Sequence, residues 1–340
     1  MSISRFFLYP LAAVLFAGAA CATLGSAEKP NGPDGRIEVV ATPVALDPDD
    51  PAVDRLGRLI YRGGLVLSSA DGRFGGISGL RWQAAQNRLL AVTDRGDWLA
   101  IATDEKDGRL TGLGGVEIGR LTGADGQSLK CKRVSYAEAL ALTQGAALIT
   151  FENDHRIASY DLDADGVPAG AANPGPIPAD DWFAVQRGNG GVESLATYAG
   201  PGGRAGYILL SEDLRDARGR SRGVRYSVGT NGAVVETALS LPILDPLRPT
   251  DAAANEETLF VLARSFSPLR GVEVELLAFD LDTDLVESER LAAFRPPLTI
   301  DNMEGLALRT VAGRTYIYMV SDDNFSPLQR TLLLKFEVTG

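Results

Sequence analysis

The chain predicts an all-β fold, a β-propeller of five blades, and three observations lead there. The first is an internal repeat. Its leading halves read Gly75-Gly76-Ile77-Ser78-Gly79-Leu80, Tyr136-Ala137-Glu138-Ala139-Leu140, Gly191-Val192-Glu193-Ser194-Leu195, Pro249-Thr250-Asp251-Ala252-Ala253 and Asn302-Met303-Glu304-Gly305-Leu306. Each is followed by an apolar run that closes on a charge, at Asp94, Glu152, Glu212, Arg264 and Asp322. Anchored on Ser78, Glu138, Glu193, Asp251 and Glu304, the steps are 60, 55, 58 and 53 residues. A period of that size built from strand-like units means a propeller or a similar array. The second observation is turn chemistry in one slot of four repeats, at residues 104–108, 161–166, 229–232 and 280–284. Asp107-Gly108, Asp165-Gly166 and Asn231-Gly232 supply the positive φ that tight hairpins need. The third is short alternating strands with no convincing helical periodicity.

Taken in order, the elements begin with a targeting segment. Arg5 precedes an apolar run from Phe6 to Ala22, 17 residues that end in small side chains. That is too short for a confident membrane span and fits a secretory signal over residues 1–22. Ala20-Cys21-Ala22 has the form of a cleavage site, and Gly18-Ala19-Ala20-Cys21 also reads as a lipoprotein site with Cys21 as acceptor. Both readings stay open, and both place the mature chain in the periplasm or otherwise outside the cytoplasm. Residues 23–35, rich in Pro, Gly and charge, read as a tether. Residues 36–340 then form a single domain. Its first repeat holds strands at Ile77–Trp82, Arg88–Thr93, Trp98–Thr103 and Val116–Leu121. The last repeat has only three, at Met303–Arg309, Tyr316–Ser321 and Thr331–Val338. An unassigned strand, Leu59–Leu67, is expected to complete that last blade and so remove the open edges of the array. An extra strand pair around Ile37–Leu46 leaves six blades as the alternative.

Composition narrows the function. The 340 residues are 45% hydrophobic with a mean hydropathy of +0.01, enough to bury a large core. The net charge of -11 and pI of about 4.8 argue against nucleic acid or an anionic membrane as partner. Membrane contact would come only through a lipid on Cys21. The balance is compatible with cation binding, and equally with a solvated acidic surface. Without Cys21 only Cys131 remains, so the mature domain contains no internal disulfide. A monomer is expected.

In a propeller blade the innermost strand and its neighbour run antiparallel. The start of the first and the end of the second therefore share one face of the disc. Glu138, Glu193, Asp251 and Glu304 sit at the starts; Asp94, Glu152, Glu212 and Asp322 sit at the ends. Eight carboxylates are thus expected around one mouth of the central channel. Like charges so close cannot all ionise without compensation. Hard oxygen ligands suit Ca²⁺ or Mg²⁺, so all eight are candidate metal ligands. The competing reading makes them staples that bond the neighbouring blade, because Glu193 and Glu304 share strand parity with Leu195 and Leu306. Arg95, His155, Arg264 and Arg330 are candidates for binding an anionic substrate, alongside Arg156 and Arg270; neutralising the acids is their other role. His155 is the only histidine, which rules out a multi-histidine zinc site.

Other motifs are weaker. Asp161-Leu162-Asp163-Ala164-Asp165-Gly166 opens like a calcium loop, but its twelfth position is Ala172 where a bidentate Glu is needed, so a hairpin turn is expected. Gly76-Ile77-Ser78-Gly79-Leu80 lacks the final glycine of a nucleophile elbow. No phosphate-binding glycine loop and no C-x-x-C pair occurs.

The strings Phe74-Gly75-Gly76-Ile77-Ser78-Gly79-Leu80, Thr93-Asp94-Arg95-Gly96, Phe151-Glu152 with His155-Arg156, Asp301-Asn302-Met303-Glu304-Gly305-Leu306-Ala307 and the run Val320–Arg330 together resemble the bacterial family described as "esterase-like activity of phytase". The resemblance spans roughly residues 57–338. It implies an extracytoplasmic propeller-like protein with recurrent Glu and Asp, associated with phosphoester hydrolysis. Taken together with the convergent acids, this makes Glu193, Glu304 and Asp322 the expected catalytic residues, a small phosphorylated or anionic compound the expected substrate, and Ca²⁺ or Mg²⁺ the expected cofactor. The alternative is a non-catalytic envelope propeller that binds a small ligand or a protein.

Overall fold

Alternating apolar residues punctuated by hairpin turns fold into five antiparallel sheets, seen here in a computed structural model. It describes residues 34–339 except 130–131, 154, 178–181, 183, 187–190, 201–203 and 230–232. The signal segment, the Cys131 thiol and most of the tether lie outside the described residues. Gly35, the last tether residue, already belongs to a strand.

Blade 1 runs outward through Ile77–Gln83, Arg88–Thr93, Asp97–Lys106 and Arg109–Arg120. Blade 2 is Ala137–Leu142, Ala146–Phe151, Arg156–Leu162 and Pro168–Pro174. Blade 3 is Val192–Gly200, Arg204–Arg215, Arg220–Val228 and Val234–Leu244. Blade 4 is Arg248–Ala254, Thr258–Ser267, Gly271–Asp280 and Glu289–Phe294. Blade 5 is Met303–Val311, Arg314–Ser321 and Thr331–Val338, completed by the early strand Leu59–Ser68. Leu333 pairs with Leu65 and Val338 with Leu59, so one end of the fold is bonded to the other. A single helical turn, Lys132–Ser135, leads into blade 2.

The sixth blade does not exist. Gly35–Ile37 adds to the outer edge of blade 1 and Val40–Val44 to the outer edge of blade 5. The segment is too short to bury a sheet face of its own, and instead it straddles two blades that already have cores.

Five apolar clusters lie one between each pair of neighbouring blades. Phe260, Leu276 and Phe294 of blade 4 meet Leu306, Met319 and Phe336 of blade 5, for example. Leu80, Leu89 and Ile118 of blade 1 meet Val320 and Leu333 of blade 5, which closes the ring. Each fully buried Leu or Phe contributes roughly 1.5–3 kcal/mol, so closure is driven by the same contacts as every other interface.

Candidate active site

Every inner strand carries a β-bulge near its start. The register slips at Ser78, across Glu138 and Ala139, at Glu193, at Thr250 and at Glu304. A bulge interrupts strict alternation and re-aims the extra side chain. Directly opposite, at or just past the end of the second strand's pairing, stand Asp94, Glu152, Glu212, Arg264 and Asp322. Four of these five donate their backbone N–H to the carbonyl two residues before the bulge: Asp94 to Gly76, Glu152 to Tyr136, Glu212 to Gly191 and Asp322 to Asn302, at 2.9–3.2 Å. One repeated backbone device therefore sets two rings of side chains at one mouth.

The bulge corrects the placing of Asp251 among the mouth acids. In blade 4 the equivalent slot belongs to Thr250, whose hydroxyl donates to the Met303 carbonyl of blade 5 at 2.9 Å. Asp251 is one residue out of phase, and a one-residue slip turns a side chain to another face. It is fully buried and forms an ion pair with Arg81, with Nη–Oδ distances of 2.7 and 2.9 Å, and accepts from the backbone N–H groups of Leu306 and Ala252. Burial pushes its carboxyl up, and Arg81 pulls it back. Asp251 is a staple, committed to its partner and unsuited to hold a metal ion.

Arg81 itself has no counterpart in the sequence reading. Its guanidinium donates to the carbonyls of Leu80, Leu195, Ala252 and Leu306 at 2.6–2.8 Å, the same repeat position in four of the five inner strands. It plugs the channel and forms the floor beneath the mouth. The signal was in the repeat: the slot holding Arg81 in blade 1 holds Ala141, Ala196, Ala253 and Ala307 in the others. Four small residues leave room for one large one.

The remaining acids form the candidate site. Burial, then repulsion from Glu193, Glu152, Glu304 and Asp94, holds the Glu138 carboxyl well above the usual range. Glu193 is raised likewise, by burial and then by Glu212, Glu304 and Glu152, and it is hydrogen-bonded to Glu138. Burial lifts Glu304 to about 7 against the pull of Arg264, whose Nη2 lies 3.0 Å from its Oε1. Burial lifts Asp322 to about 8, helped by Asp94 and Glu304 and opposed by the Asn324 N–H at 2.6 Å. Glu212 is raised by burial, then by Asp213. The Cβ that Gly191 lacks would lie within 4 Å of Glu152 Cγ, Glu193 Oε1 and His155 Nδ1, so these three side chains crowd one point. Glu193, Glu304 and Asp322, the expected catalytic residues, are thus brought into one electrostatically coupled group with Asp94, Glu138, Glu152 and Glu212.

The cations are distributed unevenly. Arg264 is taken by Glu304, and Arg330 by Asp301 at 3.4 Å and the Ile300 carbonyl at 3.0 Å. Arg95 is exposed and stands on the ring of Phe325, its Cζ 3.2 Å from the centroid. Arg156 lies over Phe151.

Oxygen-only donors match Ca²⁺ or Mg²⁺ in type. In position they do not: among the described residues, no three His, Cys, Asp or Glu side chains converge closely enough to hold one ion. The residues as arranged therefore do not fit an all-protein cage.

A family model described as "Phytase-like: Esterase-like activity of phytase" matches residues 72–325. No curated protein matches the chain. Among solved structures, a protein described as a glycoside hydrolase is similar, at 11% identity over 82% of this chain and 92% of that one, with a TM-score of 0.47. An endo-arabinase from Bacteroides thetaiotaomicron follows at 10%, 76%, 92% and 0.45. A glutaminyl cyclase from Myxococcus xanthus stands at 14%, 78%, 92% and 0.42. Likeness at this level concerns the propeller fold and carries no argument about activity.

Proposed function

This chain belongs to the family described as esterase-like activity of phytase, and from that premise we propose that it is an extracytoplasmic phosphoester hydrolase working by general acid–base catalysis at the acidic mouth. The observation that carries the reading is the graded set of carboxyls in one buried group, with Glu304 near 7 and Asp322 near 8. Catalytic acids and bases work best with pKa values close to the operating pH. At neutral pH Asp322 holds a proton to give to the departing alkoxide oxygen. Glu304, partly ionised beside Arg264, takes a proton from the attacking water. The water oxygen bonds to phosphorus as the bond from phosphorus to the leaving oxygen breaks, so one proton enters the protein and one leaves. Glu193 shares a proton with Glu138, which lowers the charge facing an anionic phosphoryl group. His155, whose Nδ1 approaches the same open side of Gly191 as Glu193 Oε1, would serve to orient Glu193. Ca²⁺ and Mg²⁺ stay outside these steps. Every residue of the mouth comes from one chain, so a monomer suffices.

The test is hydrolysis of a panel of phosphomonoesters, phosphodiesters and inositol phosphates by the purified mature protein, with and without chelator. Turnover that survives chelation and falls in Glu304→Gln and Asp322→Asn supports the reading. Turnover abolished by chelation and restored by Ca²⁺ would show that the acids rearrange around an ion, and the proton-based scheme would fail. No turnover on any substrate favours the non-catalytic envelope propeller, a reading to which the Arg81–Asp251 staple lends support by showing that part of the repeat is structural.

A further inference from the structure

An acidic mouth repels the anion it is meant to receive. Arg264 and Arg330 cannot relieve that repulsion, since Glu304 and Asp301 already hold them. Arg95 differs. Among the described residues it has no carboxylate partner within ion-pair range, because its neighbour Asp97 is taken by Arg120 at 3.0 Å. Its one side-chain hydrogen bond goes to the Gly72 carbonyl at 3.3 Å.

The platform beneath Arg95 is built for rigidity. Phe325 and Asn324 both have positive φ, 50° and 49°. That conformation is held by Asp323, whose Oδ1 accepts from the N–H groups of Gly76 and Phe325 at 3.0 Å each and whose Oδ2 accepts from the Thr331 hydroxyl at 3.0 Å. The loop of blade 5 is thereby tied to blade 1. Gly76, at φ +60°, leaves the gap that the phenyl ring enters: a Cβ there would lie 2.4 Å from Phe325 Cε2 and 2.3 Å from Asp94 Oδ1. The ring therefore stands beside the first acid of the mouth. A guanidinium 3.2 Å from the centre of an aromatic face is held there by cation–π attraction. Arg95 is exposed, and its planar guanidinium has the fork geometry that matches an oxyanion.

We propose that Arg95 on Phe325 is the docking point for the oxyanion group of the substrate, offering the positive charge that admits an anion to the edge of a carboxylate cluster. The proposal rests on the mouth being the substrate site, yet it concerns binding and is measured apart from turnover. The probe is inorganic phosphate, titrated calorimetrically at low ionic strength. Arg95→Met should weaken binding at least about tenfold, the loss of a charge-assisted contact. Phe325→Leu should weaken it about threefold, the loss of an exposed cation–π platform. Affinity in wild type should fall as salt rises, and much less steeply in Arg95→Met. Arg95 is exposed and Phe325 half-buried, and equal melting temperatures will establish that the variants are folded. Phosphate affinity unchanged in a folded Arg95→Met, or no phosphate binding by wild type, overturns the proposal. Phosphate bound through Arg95 by a protein that hydrolyses no phosphoester upholds it while defeating the hydrolase reading.

Discussion

Asp322 shows how surroundings prepare one residue for the task proposed for it. It follows the second strand of blade 5, loses water to burial, and meets the charges of Asp94, Glu304 and Asp323. Its proton stays on to about pH 8. Asp322→Asn should lower turnover by about 10²–10⁴ at pH 7, the usual worth of a general acid, while raising the melting temperature at pH 9, where the native carboxyl would be charged and buried. Loss of activity with unchanged stability at pH 9 would mean that burial does not raise this group. Arg81 makes the opposite case, a buried charge that is structural. Arg81→Met leaves Asp251 without its partner and should cost about 3–5 kcal/mol in chemical denaturation; replacing Asp251 with Asn in the same chain should recover part of that. A cost below 1 kcal/mol would remove the plug from the account. At this scale the sequence was legible for Glu193, Glu304 and Asp322, because an acid in a repeated slot stands out. It misled at Asp251, because Thr250 and Asp251 are both polar and only the bulge register tells them apart.

The elements follow from simpler rules and were read more fully. The turn at Asp107-Gly108 lies where its positive φ demanded, and the orphan strand Leu59–Ser68 pairs with Thr331–Val338 as edge closure requires. What alternation alone could not reveal was the bulge in each inner strand, since one extra residue leaves no mark in a pattern of small and apolar side chains. Nor could it divide residues 35–44 between two sheets, because pairing partners far apart in sequence are chosen by the ring. The closing strand carries a testable load. Removing residues 1–33 should leave cooperative thermal unfolding intact. Removing residues 1–69 strips the outer strands from blade 5, exposes Thr331–Val338, and should abolish cooperative unfolding. A truncated chain that still melts sharply would show that closure lies elsewhere.

For the molecule as a whole, the buried acids make stability depend on pH with a definite sign. Glu304 rises from an ordinary 4.5 to about 7, and Asp322 from 3.8 to about 8. Between roughly pH 5 and 8 the folded protein therefore binds more protons than the unfolded chain. Stability is greatest at the acidic end of that window and falls as pH rises through the folded values, by a few kcal/mol in total. The melting temperature should decline from pH 5 to 8, and the decline should flatten in a Glu304→Gln, Asp322→Asn double variant. The most direct test reads the carboxyls themselves. With ¹³C at the side-chain carboxyl carbons of Glu and Asp, an NMR titration of wild type should show carboxyls that change state between about pH 6 and 8, with the one near pH 8 lost in Asp322→Asn. If every carboxyl has titrated by pH 5.5, the mouth holds no shared protons and the catalytic scheme built on them is wrong.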